Sequence, residues 1–378
     1  MIKIKIQLLV FIVVIGIFAY LGGGNLPYSV LYSGILILVF GLIHITLQKA
    51  TMKINLNIAS DVFRTGDVIN LNIVVKSFSA FPSAYMLVEN KVISNFKKNY
   101  TGDVTFLNYY KEKLFSNKLE LRVRGIYDFS ETSILFTDLF CIMKVKKRFV
   151  ETKYIKVYPR IYIINEKVFN ERNITKSEDS NAIRDLRPYR EGDSLKRVHW
   201  KLSAKHNELY VKNFEEVASK DTNIILNMNK VEGVQGDYDL IEEQMIDLAT
   251  SLINYLQIKK YRINLLINNE EEKLFNITNN GDFQLLMEYF LNNKSQGPVD
   301  LVTFLQSKVT SLQQGSWIGI ITLSLDEVLI NEIMRLGNIG FKISVFYCRG
   351  NYLEFIHEQK SRWLEFIKCE KAIISLDE

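Results

Sequence analysis

The sequence predicts a multidomain protein: an N-terminal two-helix transmembrane hairpin, then an immunoglobulin-like β-sandwich, then a doubly wound α/β domain. Three observations carry this expectation. Two uncharged apolar stretches open the chain, a long region of period-two alternation follows, and after Asp221 strand-like runs alternate with amphipathic helical ones. At 378 residues the chain exceeds one ordinary compact domain.

The hairpin comes first. No charged residue lies between Ile6 and Gly24, and the run opening at Leu8 is about as long as a hydrocarbon core is thick. Gly22-Gly23-Gly24-Asn25-Leu26-Pro27 is turn material, and Tyr28–Leu47 is a second uncharged stretch of similar length. A cleaved signal peptide is disfavoured, because another membrane-length segment follows at once. Lys3 and Lys5 precede the first stretch, Lys49 and Lys53 follow the second, and the short loop carries no cation. That asymmetry puts both termini and the soluble body on the cytoplasmic side of a two-span protein. His44, near a helix end, reads as an interfacial histidine rather than a functional intramembrane group.

Between Lys53 and Pro159 the alternation of Ile54-Asn55-Leu56-Asn57-Ile58 and Ile69-Asn70-Leu71-Asn72-Ile73 predicts half-buried strands. Further strands are expected over Ser83–Ile93, Val104–Phe115 and Leu119–Val123, a spacing that suits a sandwich of about one hundred residues. The basic run Lys144–Arg148 reads as a solvated strand end or hairpin, with attraction to anionic lipid as the alternative. After Asp221, strands are expected at Asn223–Met228, Arg262–Ile267, Ser316–Leu323 and Lys342–Tyr347. Helices are expected at Tyr238–Gln257, Phe283–Asn292, Leu301–Gln313 and Glu327–Leu336, with a terminal segment containing Trp363. In the first helix Leu240, Ile241, Met245, Leu248, Ala249, Leu252 and Ile253 share one face. The resulting division is 1–50 hairpin, 51–160 sandwich, 161–220 motif and linker, and 221–378 α/β domain.

Composition excludes several functions. The 47 basic and 42 acidic residues leave a net charge of only +5, too weak a field to argue for nucleic acid. Cys141, Cys348 and Cys369 are far apart in sequence and form no C-x-x-C pair, which suggests reduced thiols and neither a disulfide framework nor a zinc site. Walker, H-E-x-x-H, G-x-S-x-G and dinucleotide-loop signatures are missing.

The most unusual segment runs from Arg184 to Lys205. Pro188 fixes a turn, Gly192-Asp193 ends it, and Ser194–Lys205 can form a short helix that buries Trp200 while Lys196, Arg197 and Lys201 face solvent. Arg187 and Arg197 can each fork onto Asp193 or Glu191. A hydrolase would have to use His199 or His206 with Asp193 and Ser203 or Cys141, and Ser203 lies one helical turn after His199.

Arg187, Tyr189, Gly192, Asp193, Arg197, His199, Trp200, Ser203, Ala204, Leu209, Val211, Phe214 and Glu215 resemble the signature of the bacterial family known as domain of unknown function 58. Lys205 stands where that family usually has arginine, and Asn213 where an acid is common. Arg124-Gly125-Ile126-Tyr127 and Thr137-Asp138-Leu139-Phe140 resemble two upstream family stretches. The resemblance implies a von Willebrand factor A-like C-terminal domain, whose metal site needs D-x-S-x-S after the first strand. Here Asn227, Asn229 and Val231 occupy those positions, Lys230 would repel a cation, and the second aspartate position falls near Leu323. No metal or cofactor is therefore expected, Asp326 being the one nearby substitute.

The resemblance also implies partners, namely a MoxR-type AAA+ ATPase and in some cases transglutaminase-like membrane proteins. The expected function is a non-enzymatic scaffold or adaptor at the bacterial cell membrane, in cell-envelope processes, with the motif residues serving a partner or the fold. A metal-dependent ligand-binding or adhesion module and a hydrolase using the His199/Asp193 region are the alternatives.

Overall fold

The computed structural model describes residues 2–108, 110–167, 169, 183–190, 193, 198–206, 208–214, 221–230, 238–313, 315–349 and 364–374. The chain divides into two compact units, Met1–Tyr158 and Pro159–Glu378. The second unit thus begins ahead of the expected linker.

The first unit opens with β1 (Ile2–Ile4), α1 (Ile6–Gly22) and α2 (Asn25–Thr51). Gly23 and Gly24 both have positive φ and reverse the chain between the helices. Of the described helices, α2 is long and apolar enough to cross a membrane, and α1 is a shorter apolar helix. The unit continues through β2 (Met52–Asn57), β3 (Val62–Arg64), β4 (Val68–Ser77), β5 (Ser83–Asn90), α3 (Ile93–Phe96), β6 (Asp103–Leu107) and β7 (Glu112–Glu120). It closes with β8 (Gly125–Asp128), β9 (Glu131–Thr137), β10 (Met143–Val150) and β11 (Tyr154–Tyr158).

These strands form one five-stranded sheet, ordered β1-β10-β9-β5-β6, and two three-stranded sheets, β2-β4-β7 and β3-β11-β8. The alternation in β4 places Ile69, Leu71, Ile73 and Val75 inward, where they meet Met86, Val88, Ile134, Phe136, Ile155 and Val157. The expected strand Val104–Phe115 is two strands, because the chain turns between β6 and β7.

The basic run Lys144–Arg148 lies within β10, and its alternation separates the charges. Lys146 pairs with Glu89 at 2.9 Å and Arg148 with Glu131 at 3.4 Å. Lys147 points the other way and donates to the carbonyls of Lys49 (2.6 Å) and Met52 (3.1 Å), closing the carboxyl end of α2. Desolvation, then the nearby charge of Lys49, holds its ammonium below the usual lysine range.

The second unit contains β12 (Ile163–Ile164), β13 (Ile183–Pro188), α4 (Trp200–His206), β14 (Tyr210–Phe214), β15 (Asp221–Asn227), α5 (Tyr238–Ile258), β16 (Arg262–Asn268) and β17 (Lys273–Ile277). After these come α6 (Asn280–Asn292), α7 (Leu301–Val309), β18 (Trp317–Ser324), α8 (Glu327–Asn338), β19 (Lys342–Arg349), β20 (Leu364–Lys368), α9 (Cys369–Ala372) and β21 (Ile373–Ile374). The six-stranded sheet is ordered β17-β16-β15-β18-β19-β20, parallel except for the edge strand β17. Residues of α5 and α6 pack on one face and those of α7 and α8 on the other, which makes the domain doubly wound.

Two expectations about packing need correction. Leu240, assigned to the buried face of α5, is exposed, while Glu242, Glu243 and Asp247 of the same helix are buried. Two of these carboxylates accept backbone amides from distant segments, Asp247 that of Arg160 at 2.8 Å and Glu242 that of Ser295 at 2.9 Å. The distant cysteines Cys348 and Cys369 also meet, with sulfurs 3.0 Å apart in the core. The neighbouring Cys348 and then burial push the Cys369 thiol up, as expected for inert, protonated thiols. Trp363 lies outside the described residues.

Candidate functional site

The family-like segment is a two-stranded antiparallel ribbon crossed by a short helix. Strands β13 and β14 pair through Arg187 with Val211 and Pro188 with Tyr210. At the ribbon's end the Tyr189 amide donates to the Leu209 carbonyl at 2.8 Å. Arg187 forks onto Asp193 with two bonds, 2.8 and 2.7 Å, and the Arg190 amide adds a third at 2.9 Å. The Arg187 bond and then the Arg190 amide hold the Asp193 carboxyl below its usual range. That contribution is complete above the ordinary aspartate pKa and is lost as pH falls through the lower folded value.

His199 caps α4. Its Nδ1 accepts the Leu202 amide at 3.1 Å, which leaves the ring proton on Nε2, and its carbonyl accepts the Ser203 amide at 3.0 Å. Ser203 is buried, and its hydroxyl oxygen accepts the Tyr210 amide at 2.9 Å. Of the side chains proposed for a hydrolase, His199 is thus engaged within the first turn of α4 and Ser203 holds the helix to the ribbon. Ala204 is exposed on α4, and Tyr189 is half-buried. Gly192, Arg197 and Glu215 lie outside the described residues.

Trp200 differs from expectation. It is 62% exposed rather than buried, at the first position of α4. Leu209 and Leu186 are exposed nearby in the sequence of the same ribbon.

The second candidate is the carboxyl end of the parallel sheet, where open α/β folds bind ligands. Asn227 ends β15 and Asn268 ends β16, and the two are register partners. Asn268 is fully buried and its Nδ2 donates to Asn227 Oδ1 (3.2 Å), Asn229 Oδ1 (2.8 Å) and the Val299 carbonyl (2.9 Å). Asn227 in turn donates to Thr322 at 3.3 Å. Gly297 makes this closure possible, since a Cβ there would lie 2.8 Å from Asn229 Oδ1.

A hard cation needs those side-chain oxygens free, and here an amide N–H engages them. Leu323 is packed in the core, and Asp326 caps α8 by accepting the Leu329 amide at 2.7 Å. Among the described residues no group of three or more His, Cys, Asp and Glu side chains could hold a metal. Val231 is outside the described residues. Magnesium or manganese is accordingly expected to leave the thermal midpoint of the full-length protein unchanged; a rise that saturates with metal concentration would reveal a site this network does not show.

Sequence reasoning missed the network as a unit. Its signal was present: Asn223 and Asn227 recur at the spacing of Asn264 and Asn268, and Asn264 also donates to Asn223 at 3.2 Å. Beside the network, Lys230, Tyr238, Asp239, Glu242, Lys294 and Ser295 line an open cleft of about 540 Å³ with charges of both signs.

No curated protein matches the sequence. Among solved structures the chain is similar to the CARDB domain of a Pyrococcus furiosus protein in complex with di-metal ions, with 14% identity over 28% of this chain and 91% of that one and a TM-score of 0.21. It is similar to the conserved hypothetical protein BatB of Bacteroides thetaiotaomicron, with 15% identity over 34% and 67% and a TM-score of 0.24. It is also similar to manganese-loaded TRAP protein of Plasmodium vivax, with 11% identity over 41% and 70% and a TM-score of 0.28. The family described as protein of unknown function DUF58 matches residues 185–313, from the Arg187–Asp193 fork through the amide-closed sheet end.

Proposed function

We propose that the protein is a non-enzymatic, membrane-anchored adaptor whose motif segment presents a docking surface to a partner, a MoxR-type AAA+ ATPase in the bacterial cell envelope. In this reading α1 and α2 cross the membrane as a hairpin, both termini and the body are cytoplasmic, and a sandwich spacer carries a von Willebrand factor A-like domain. Lys3, Lys5, Lys49 and Lys53 support that orientation. Close packing of the two helices supports the hairpin, with Ile12 3.4 Å from where a Cβ of Gly34 would sit.

The observation that carries the adaptor reading is Trp200, 62% exposed in a motif whose Arg187, Asp193, His199 and Ser203 side chains are engaged in bonds within the motif. A catalytic segment would leave a nucleophile and a base facing a cavity. This one leaves an indole facing solvent.

The test is affinity purification of the full-length protein from native membranes, with and without ATP, followed by mass spectrometry. Trp200→Ala is expected to keep its unfolding free energy within about 0.5 kcal/mol of wild type, as exposed positions do. The same variant should lose at least about tenfold in recovered ATPase, the effect of removing an anchor residue. Recovery of the ATPase at wild-type yield with Trp200→Ala, or of no ATPase with the intact protein, refutes the reading.

A further inference from the structure

The junction between the apolar helices and the β domain is rooted at both ends. The Lys5 amide, one residue before α1, donates to the Ile142 carbonyl at 3.0 Å, and β1 pairs with the start of β10. The last turns of α2 are buried in the β domain through Gly41, His44, Ile45 and Gln48. His44 Nε2 lies 2.9 Å from the Pro82 carbonyl, and a Cβ on Gly41 would sit 3.2 Å from Asp138 Oδ2. The helices therefore leave a shared corner and do not rise from a flexible stalk.

That corner is aromatic and exposed. The Phe40 ring packs at 6.1 Å against both Phe81 and Phe140, which come from two different loops of the β domain. Phe140 is 48% exposed and Phe81 38%. Asp138 fixes the second loop by accepting the amides of Phe140 (3.2 Å), Ile142 (2.8 Å) and Met143 (2.7 Å), so Phe140 is presented on an ordered turn.

Helix length says where this corner sits. The 17 residues of α1 rise about 25 Å, and Asn25 to Phe40 of α2 rise about 24 Å. A hydrocarbon core is about 30 Å thick, so α1, and α2 as far as Phe40 where it begins to enter the β domain, each fall short by roughly one turn. Both shortfalls end at the same place, beside Phe81 and Phe140.

We infer that Phe40, Phe81, Leu139 and Phe140 form a collar that enters the headgroup boundary of the bilayer, with Lys5 meeting anionic headgroups. The β domain is docked on the lipid surface, continuous with the helix pair. Aromatic rings with neighbouring cations are the side chains that occupy such a boundary. The collar rests on the membrane-spanning reading above, and the two are separable.

The experiment uses the full chain reconstituted in phosphatidylcholine–phosphatidylglycerol vesicles, with lipids brominated either near the headgroup or deep in the acyl chain. Phe140→Trp, and independently Phe81→Trp, add an indole to the three native tryptophans, whose emission in the parent protein is subtracted. The added emission is expected to be lost mostly to shallow bromines and to resist aqueous iodide. Leu36→Trp, on the exposed middle of α2, reports on spanning and should be quenched by deep bromines. If Leu36→Trp is quenched while Phe140→Trp and Phe81→Trp yield to iodide, the collar is wrong and the hairpin stands. If Leu36→Trp escapes every brominated lipid, the spanning reading itself falls, and the collar with it.

Discussion

Replacing Asp138 by alanine is expected to destabilise the first unit by about 3–5 kcal/mol, among the largest effects of any polar substitution in it. The carboxylate is fully buried and accepts three backbone amides of one turn. Each donor left without a partner costs about 1–3 kcal/mol. The loss also spreads, since Gly41 of α2 packs directly on this carboxylate and the next strand, β10, carries Lys147, which closes the same helix. Denaturation of the full-length protein in mild detergent, read by proteolysis of the β domain, measures the effect. Asp138→Asn keeps one acceptor oxygen and should fall between the two. An alanine variant within about 1 kcal/mol of wild type would mean that the turn holds itself and that Asp138 is incidental.

Much of this architecture was legible because burial imposes periodicity. Ile69-Asn70-Leu71-Asn72-Ile73 could only be a strand with one wet face, and Glu327–Leu336 only a helix with one, and both stand as expected apart from their ends. What was illegible is what local sequence does not encode. Trp200 looked buried because indoles usually are, yet it is exposed at the first position of α4, which His199 caps. Glu242 and Glu243 interrupt the apolar stripe of α5 and yet are buried, while Leu240 sits in water instead. The meeting of Cys348 with Cys369 needed the sixth strand, β20, whose short run offered no pattern of its own. The candidate site was half visible: the departure from a D-x-S-x-S metal motif could be read at Asn227 and Asn229, but Asn268, which completes the network, drew no notice.

Asn268→Asp is the sharpest test of that network. The substitution preserves shape and removes the N–H donors that face Asn227 Oδ1, Asn229 Oδ1 and the Val299 carbonyl. At neutral pH it sets a charged carboxylate among three oxygens in a fully buried position, with an expected cost of about 3–5 kcal/mol. The sign with pH follows. Burial and the facing oxygens favour the protonated acid in the folded state, raising its pKa above the unfolded value of about 3.9. The charge penalty is therefore absent below that value and grows as pH rises from it toward the folded pKa, so acidification should return part of the lost stability. Magnesium or manganese supplies the second arm: with the donor gone and a carboxylate in its place, the same oxygens form a plausible hard-cation cage. A midpoint raised by metal in Asn268→Asp and not in wild type would locate the discrimination in one amide. If the variant matches wild type at neutral pH, the N–H bonds of Asn268 are not what closes this end of the sheet.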